Sequence, residues 1–287
     1  MTLKAISAIA SAGESDAPLL RETAAIAAAF GARAEIIPAF ADPAAELVYY
    51  GAVLNRALDH SVLERIQAAE KDALAKIETA ARRAAAAAGV AWADGAGAAF
   101  ALDQRDINPR AAISRAAVLS DLTLIAAAAV RRGGELADAF AAALLGDWAP
   151  ILLVRGEAPV LGAPAAIAWD ASPQAGRALR AALPLLTRAP SITLIQHAAG
   201  MTEAQAAAAD PARVARYLAR HAAPAPRLVA VEGAREGEAI LGAAIEAGAG
   251  LLVAGGFGRS RFSELVLGGA TRAFVEAAAG PHLLLSH

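Results

Sequence analysis

The sequence LLVAGGFGRSRFSELVLGGATR, residues 251–272, contains in order an apolar run, a glycine-rich turn and the start of a helical pattern. The apolar run predicts a buried strand. Gly255 ends it, Gly258 follows after two residues, and Gly268 comes nine residues later, before a helical pattern over residues 270–279. Because glycine has no Cβ, main-chain N–H groups can approach an anion closely there. A helix start adds unpaired N–H groups and a positive dipole end, so the stretch predicts a phosphate-binding turn.

This G-x2-G-x9-G spacing resembles the motif of the universal stress protein family. That motif usually has Ser or Thr directly after the third glycine, where this chain has Gly269. The final residues 280–287, GPHLLLSH, resemble the closing strand of the family. The resemblance is good across residues 159–287 and faint across residues 1–155. It implies an α/β fold of the adenine nucleotide α-hydrolase-like type.

An internal repeat appears when the two halves are aligned by their strands. Predicted strands at residues 3–10, 34–39, 98–102, 122–126 and 151–154 match strands at 165–169, 191–197, 229–232, 251–254 and 282–285. Predicted helices at 17–30 and 60–88 alternate with them in the first half, as do 173–187 and 204–221 in the second. This alternation predicts parallel sheets with helices on both faces. We therefore expect two tandem doubly wound domains, residues 1–155 and 165–287, joined by a linker at 156–164.

The second half contains a candidate nucleotide site. In open parallel sheets ligands bind beyond the carboxyl ends of the strands, where Asp170 and Ser172 resemble the D-x-S turn of the family. In family members that bind ATP, this aspartate holds the nucleoside and the glycine loop holds the phosphates. A histidine at the end of a predicted strand, His197, could also touch the adenine. Together with the residues that match the family positions, it gives the predicted binding set: Asp170, Ser172, His197, Gly255, Phe257, Gly258, Arg259, Gly268, Gly269, Ala270 and Thr271.

Five members of this set have an alternative interpretation. Asp170 and Ser172 could only cap the following helix, and His197 could be a hydrogen-bonded core histidine. Phe257 could be a packing residue and Arg259 a solvated one. Without the hydroxyl of the family motif at position 269, the hydroxyl of Thr271 could replace it.

The first half departs from the family pattern. Residues 126–135 read AAAAVRRGGE, which does not reproduce the glycine spacing. After the first strand the chain reads SAGESD, residues 11–16, in place of D-x-S. Gly13, Ser15 and Asp16 there predict a turn and a helix N-cap. We expect this half to bind no nucleotide.

Composition excludes several classes of protein. The chain of 287 residues is 57% hydrophobic, mostly through alanine, but no uncharged stretch approaches the ~20 residues of a spanning helix. Without cysteine it has no disulfide or thiolate site, and its histidines lack metal-binding spacing. A net charge of −2 argues against nucleic acid as a partner. We expect a soluble cytoplasmic protein without a metal site.

Three functions remain open. The first is a regulatory protein of the stress response that binds ATP, ADP or AMP, with Mg²⁺ as a candidate companion ion. The second is a scaffold that binds no nucleotide and acts through protein contacts. The third is a slow ATP hydrolase, for which no catalytic residue can be placed. The family resemblance further implies that the last strands, 151–154 and 282–285, pair antiparallel and make an intramolecular pseudo-dimer, and homodimer formation stays open.

Overall fold

The structure is a computed structural model and describes residues 2–39, 60–92, 99–103, 108–146, 149–197, 202–256 and 269–287. The strands are β1 (Ala5–Ala10), β2 (Arg33–Pro38), β3 (Ala91–Trp92), β4 (Ala99–Leu102), β5 (Leu122–Ala126), β6 (Ile151–Val154), β7 (Ala165–Ala168), β8 (Ile192–His197), β9 (Pro226–Val231), β10 (Leu251–Gly255) and β11 (His282–Ser286). The helices are α1 (Asp16–Phe30), α2 (His60–Ala87), α3 (Pro109–Leu119), α4 (Ala127–Val130), α5 (Ala137–Gly146), α6 (Pro173–Leu186), α7 (Glu203–Ala208), α8 (Pro211–Arg220), α9 (Glu236–Glu246) and α10 (Gly269–Glu276).

The strands form one sheet in the order β3-β4-β2-β1-β5-β6-β11-β10-β7-β8-β9. The order β4-β2-β1-β5-β6 in the first half is repeated as β9-β8-β7-β10-β11 in the second. In the first half, the connections that follow β1 lead toward one edge of the sheet and the connection that follows β5 leads the opposite way, so a switch point lies between the neighbouring strands β1 and β5. In the second half the corresponding switch point lies between β7 and β10. Each such switch point leaves a crevice at the carboxyl ends of the strands, where doubly wound proteins bind ligands.

The halves meet through their last strands. β6 and β11 run antiparallel, with Leu152 opposite Leu284 and Leu153 opposite Leu283. The other strand pairings among the described residues are parallel. The predicted antiparallel pairing of the two closing strands is therefore confirmed, and a continuous apolar strip crosses the middle of the sheet. We call this β6–β11 junction the seam.

Helices cover the sheet in packed groups. In the first half α1 packs on α2 and α3 packs on α5, while in the second α9 packs on α10 and α6 lies against β10 and β11. Crossovers between parallel strands are right-handed, so connections that cross the sheet in opposite directions lie on opposite faces. The helices α1 and α2 therefore lie on one face of the first half, and α3 and α5 lie on the other. The central strands are buried on both faces, which explains why they are continuous apolar runs rather than alternating ones, whereas the edge strand β9 has no buried residue.

Some elements differ from the prediction. The strand expected at 229–232 begins earlier, at Pro226, at the edge of the sheet. The helix expected over 204–221 is divided into α7 and α8, because Asp210 caps a new helix that has Pro211 in its first turn. Strand β3 and helices α3, α4, α5 and α9 were not predicted. No helix in the described ranges is both long and apolar enough to cross a membrane.

Candidate functional site

Three of the predicted site segments meet at one edge of the sheet. β7 lies between β10 and β8, and all three strands are parallel. The N–H of Trp169 extends the β7–β8 ladder by donating to the carbonyl of Ile195 at 2.9 Å. Asp170, His197 and Gly255 therefore stand at the carboxyl ends of adjacent strands, at the switch point of the second half. We call this place the C-terminal corner.

The turn after β7 caps the helix that follows. Ala171 has a φ of 59°, and the N–H of Ser172 donates to Oδ1 of Asp170 at 2.9 Å. The Oγ of Ser172 accepts from the N–H of Ala175 at 3.1 Å, and Pro173 occupies the first turn of α6. The capping interpretation thus applies to both polar side chains. Asp170 is half-buried, and its Oδ2 makes no hydrogen bond within the described part of the chain, so a second partner for this carboxylate is compatible with the cap.

Gly255 is needed for helix packing. A Cβ on this residue would lie 2.7 Å from the main-chain nitrogen of Ala175 and 2.9 Å from Cβ of Gln174, in the first turn of α6. Its neighbour Gly256 is buried, and the Gly256 N–H donates to the carbonyl of Ser286 at 2.8 Å. The main chain at the end of β10 is therefore occupied by internal contacts. Any anion would have to use N–H groups further along the loop.

The predicted loop residues Phe257, Gly258, Arg259 and Gly268 lie outside the described residues. The helix after the loop, α10, begins at Gly269, as predicted to within a residue.

The three predicted residues at the start of α10 have different environments. Gly269 is exposed, and a Cβ there would meet open space. Ala270 packs against α9, where a Cβ on Gly237 would lie 2.7 Å from the Cα of Ala270. Thr271 is 2% exposed, so its hydroxyl belongs to the interior of the protein. Gly269 is the member of this group that faces solvent.

His197 and Trp169 complete the C-terminal corner. Nε2 of the half-buried His197 lies 2.8 Å from the carbonyl oxygen of Gly233, so the ring is hydrogen-bonded to the main chain. The indole N–H of Trp169 is buried and has no hydrogen-bond partner among the described residues. The sequence prediction gave Trp169 no role. Its place directly before the D-x-S turn was the available signal, because an indole at a strand end can donate to or stack on a ligand.

The equivalent corner of the first half, beyond β1 and β5, is filled by its own carboxylate. Both oxygens of Asp16 accept hydrogen bonds, from the N–H groups of Ser11 at 3.2 Å and Ala12 at 2.9 Å. Asp16 is 4% exposed, and burial raises its pKa to about 6, against the lowering effect of those hydrogen bonds. The charge of Glu135 raises it further. Ser15, the expected N-cap, makes no capping hydrogen bond through its side chain.

The loop after β5 in the first half is closed on itself. The N–H groups of Gly134, Leu136 and Ala137 donate to main-chain carbonyls within the same loop, at 2.7, 2.9 and 3.2 Å. A Cβ on Gly134 would lie 2.3 Å from the carbonyl oxygen of Ala129. Glycine is therefore required here by packing, and these three N–H groups are already used.

Across the seam, the first half holds the end of α10. The guanidinium of Arg155, 8% exposed, donates to the carbonyls of Phe274 at 2.7 Å and Pro281 at 2.6 Å. The Arg155 N–H donates to Nδ1 of His282 at 3.0 Å, and Nε2 of that ring lies 2.6 Å from the carbonyl of Ala158. Since Nδ1 accepts, the neutral ring carries its proton on Nε2. Burial lowers the pKa of both groups, that of Arg155 to about 10.

Two further contacts link the first half to segments that border the C-terminal corner. The N–H of Arg132 lies 3.2 Å from each carboxylate oxygen of Glu276, in the last turn of α10. Leu144, on α5, lies 3.4 Å from where a Cβ on Gly256 would be. A change in the position of α10 would therefore alter its contacts with the first half.

The described residues contain no group of three or more His, Asp or Glu side chains that could hold a metal ion.

Two doubly wound half-sheets, joined antiparallel through their closing strands, define a tandem α/β protein with one crevice per half. No protein-family model and no curated protein matches the sequence. Solved structures do match. A universal stress protein from Archaeoglobus fulgidus DSM 4304 aligns over 98% of this chain and 97% of its own, with a TM-score of 0.69 and 12% identity.

Two Pseudomonas aeruginosa proteins have the same architecture. A provisionally assigned universal stress protein from strain UCBPP-PA14 aligns over 99% of this chain and 93% of its own, with a TM-score of 0.58 and 13% identity. A protein of unknown function from strain PAO1 aligns over 99% and 92%, with a TM-score of 0.54 and 12% identity. The chain therefore has the fold of the universal stress proteins.

Proposed function

We propose that this chain is a regulatory protein of the cytoplasm that binds an adenine nucleotide at the C-terminal corner. ATP, ADP or AMP would lie beyond β7, β8 and β10, with Mg²⁺ accompanying the phosphates, and occupancy would alter contacts with partner proteins. We further propose that residues 1–155 and 165–287 are separate domains joined by the linker 156–164, and that only the second binds nucleotide.

The observation that carries this proposal is the carboxylate of Asp170. One oxygen positions the turn, while the other makes no hydrogen bond in the described part of the chain, at a switch point of the sheet. A carboxylate oriented in this way can accept hydrogen bonds from two ribose hydroxyls. The indole N–H of Trp169, which has no hydrogen-bond partner among the described residues, and the exposed start of α10 at Gly269 support the same location.

Calorimetric titration of ATP, ADP and AMP, with and without Mg²⁺, tests the proposal. Replacing Asp170 by Asn keeps an oxygen for the Ser172 N–H but removes the charge. Losing a charge-assisted hydrogen bond to the ribose costs about 1.5–3 kcal/mol, which is roughly a 10- to 100-fold weaker affinity. Asp210→Asn is the matched control, because Asp210 also accepts from the N–H two residues ahead, at 2.9 Å, but caps α8 elsewhere.

A second function is favoured by a different observation. The main chain at Gly255 and Gly256 is used for packing, and the seam is fastened by buried hydrogen bonds of Arg155 and His282. A scaffold that binds no nucleotide would need only such rigidity. If none of the three nucleotides binds, or if Asp170→Asn and Asp210→Asn weaken binding equally, the scaffold is the better account.

A further inference from the structure

A cavity of about 360 Å³ opens where α1, the end of α2 and the linker meet, away from the C-terminal corner. Its walls are mostly small apolar residues, Pro18, Ala25, Ala84, Ala87, Ala88 and Pro159. A volume of this size is at the lower end of the range for small-molecule sites. We call it the linker cavity.

Glu22 is the buried polar side chain that lines the linker cavity. It is 6% exposed, and its Oε1 accepts a hydrogen bond from the N–H of Val160 at 3.2 Å. Its other oxygen, Oε2, accepts none from the described residues. Burial of an ionised carboxylate is unfavourable unless its oxygens are paired. Here burial raises the pKa of Glu22 to about 7, while the Val160 hydrogen bond lowers it.

The charges around the linker cavity favour a cation. Its other charged lining residues, Arg21 and Glu157, form an ion pair with each other at the exposed mouth. Their charges largely cancel, and α2 contributes only alanines to the described lining. Glu22 is thus the unbalanced charge within an apolar wall.

We propose that the linker cavity binds a small protonated amine with a compact apolar body. The ammonium group donates to Oε2 of Glu22, and the hydrocarbon body lies against Ala25 and the alanines at the end of α2. This site is independent of the proposed nucleotide site, since it shares no residue with it. A ligand there also contacts the linker, which follows β6 of the seam.

Three probes of equal length test the charge preference on the full chain: n-butylamine, butan-1-ol and butyrate. Titration followed by NMR should give saturable binding of the amine with a Kd in the millimolar range, at least tenfold tighter than either other probe. Lowering the pH from 8 to 6 should weaken amine binding roughly tenfold, because Glu22 becomes protonated. Equal affinities for amine and alcohol, or no saturable amine binding, would overturn the proposal.

Two pairs of variants test the location. Glu22→Gln keeps an acceptor for the Val160 N–H but should reduce amine affinity at least tenfold, whereas Glu157→Gln at the mouth should change it less than threefold. Ala25→Leu fills the cavity and should abolish binding. Ala28→Leu, on an exposed position of the same helix outside the cavity, should leave it intact. Equal amine binding by both leucine variants contradicts the assignment, and circular dichroism checks that each remains folded.

Discussion

The turns that follow β1 and β7 have a similar backbone conformation, but the aspartates beside them are hydrogen-bonded differently. Both pass through an alanine in the left-handed region, Ala12 with a φ of 63° and Ala171 with a φ of 59°. Beside the first, both oxygens of Asp16 are hydrogen-bonded to the turn. Beside the second, Asp170 uses one oxygen for the turn. The same fold thus contains one corner closed by its own carboxylate and one corner in which a carboxylate oxygen accepts no hydrogen bond from the described residues.

The surrounding charges increase the difference. In the first half, Oε1 of Glu135 would lie 3.6 Å from a Cβ on Gly13, so a second carboxylate reaches the turn that Asp16 closes. A phosphate there would face two like charges and a loop in which the N–H groups of Gly134, Leu136 and Ala137 are already hydrogen-bonded. Repetition of a fold therefore does not imply repetition of a site, because a few polar side chains decide whether the crevice stays open.

The largest expected effect concerns the glycines that border the two corners. Gly134→Ala places a Cβ 2.3 Å from a main-chain oxygen, and Gly255→Ala places one 2.7 Å from a main-chain nitrogen. Overpacking against backbone should lower the free energy of unfolding by about 3 kcal/mol, with Gly134→Ala the more severe. Urea unfolding measures this.

Gly269→Ala is the matched control, because its Cβ meets open space in an exposed helical turn. It should be neutral or stabilising by up to ~1 kcal/mol. If Gly255→Ala proves as stable as Gly269→Ala, the packing role of Gly255 is wrong.

A smaller effect is expected in the pH dependence of the free energy of unfolding, through Asp16 in the corner of the first half. The folded state raises the pKa of Asp16 from 3.8 to about 6, so the stability linked to this carboxyl is fully present below pH 3.8 and is lost as the pH rises through 6. Between pH 4.5 and 7.5 this loss amounts to about 2 kcal/mol. Asp16→Asn lacks it, so its free energy of unfolding relative to wild type should rise by that amount. A difference that stays constant with pH would mean that Asp16 is not the buried group that closes the corner of the first half.

The smallest expected effect is on nucleotide affinity at the C-terminal corner. Gly269→Ser restores a hydroxyl at an exposed position with room for it. A new hydrogen bond to a bound phosphate is worth about 0.5–1.5 kcal/mol, so ATP affinity should rise roughly 2- to 10-fold. Gly269→Ala controls for helix propensity in the same calorimetric titration. An equal gain in both variants would place the phosphates elsewhere.

Much of the sheet could be predicted because parallel strands buried on both faces are apolar runs. Residues 122–126 and 151–154 are examples, whereas the antiparallel pairing at the seam was expected from the family resemblance. Strand β9 was predicted too late in the sequence: it begins at Pro226, since proline is allowed at the first residue of an edge strand. Strand β3 has only two residues, too few for any periodicity to be visible.

The site was harder to predict than the fold. The sequence shows where the glycines are, but not which of them stand where a Cβ would clash, nor with what. A Cβ on Gly255 would clash with the first turn of α6, which comes about 80 residues earlier in the chain. The hydrogen bonds that occupy Gly256 and His197 also depend on distant partners, Ser286 and Gly233. Asp170 and Ser172 were predictable because their interactions are local.

The pairing of β6 with β11 within one polypeptide has an evolutionary consequence. In an assembly of separate subunits, a half that lost its ligand would compete with intact copies for the same position. Here covalent linkage fixes the ratio of the two halves at one to one and keeps their local concentration high. The first half is therefore free to accumulate substitutions in its crevice, provided that its last strand continues to pair with its neighbour.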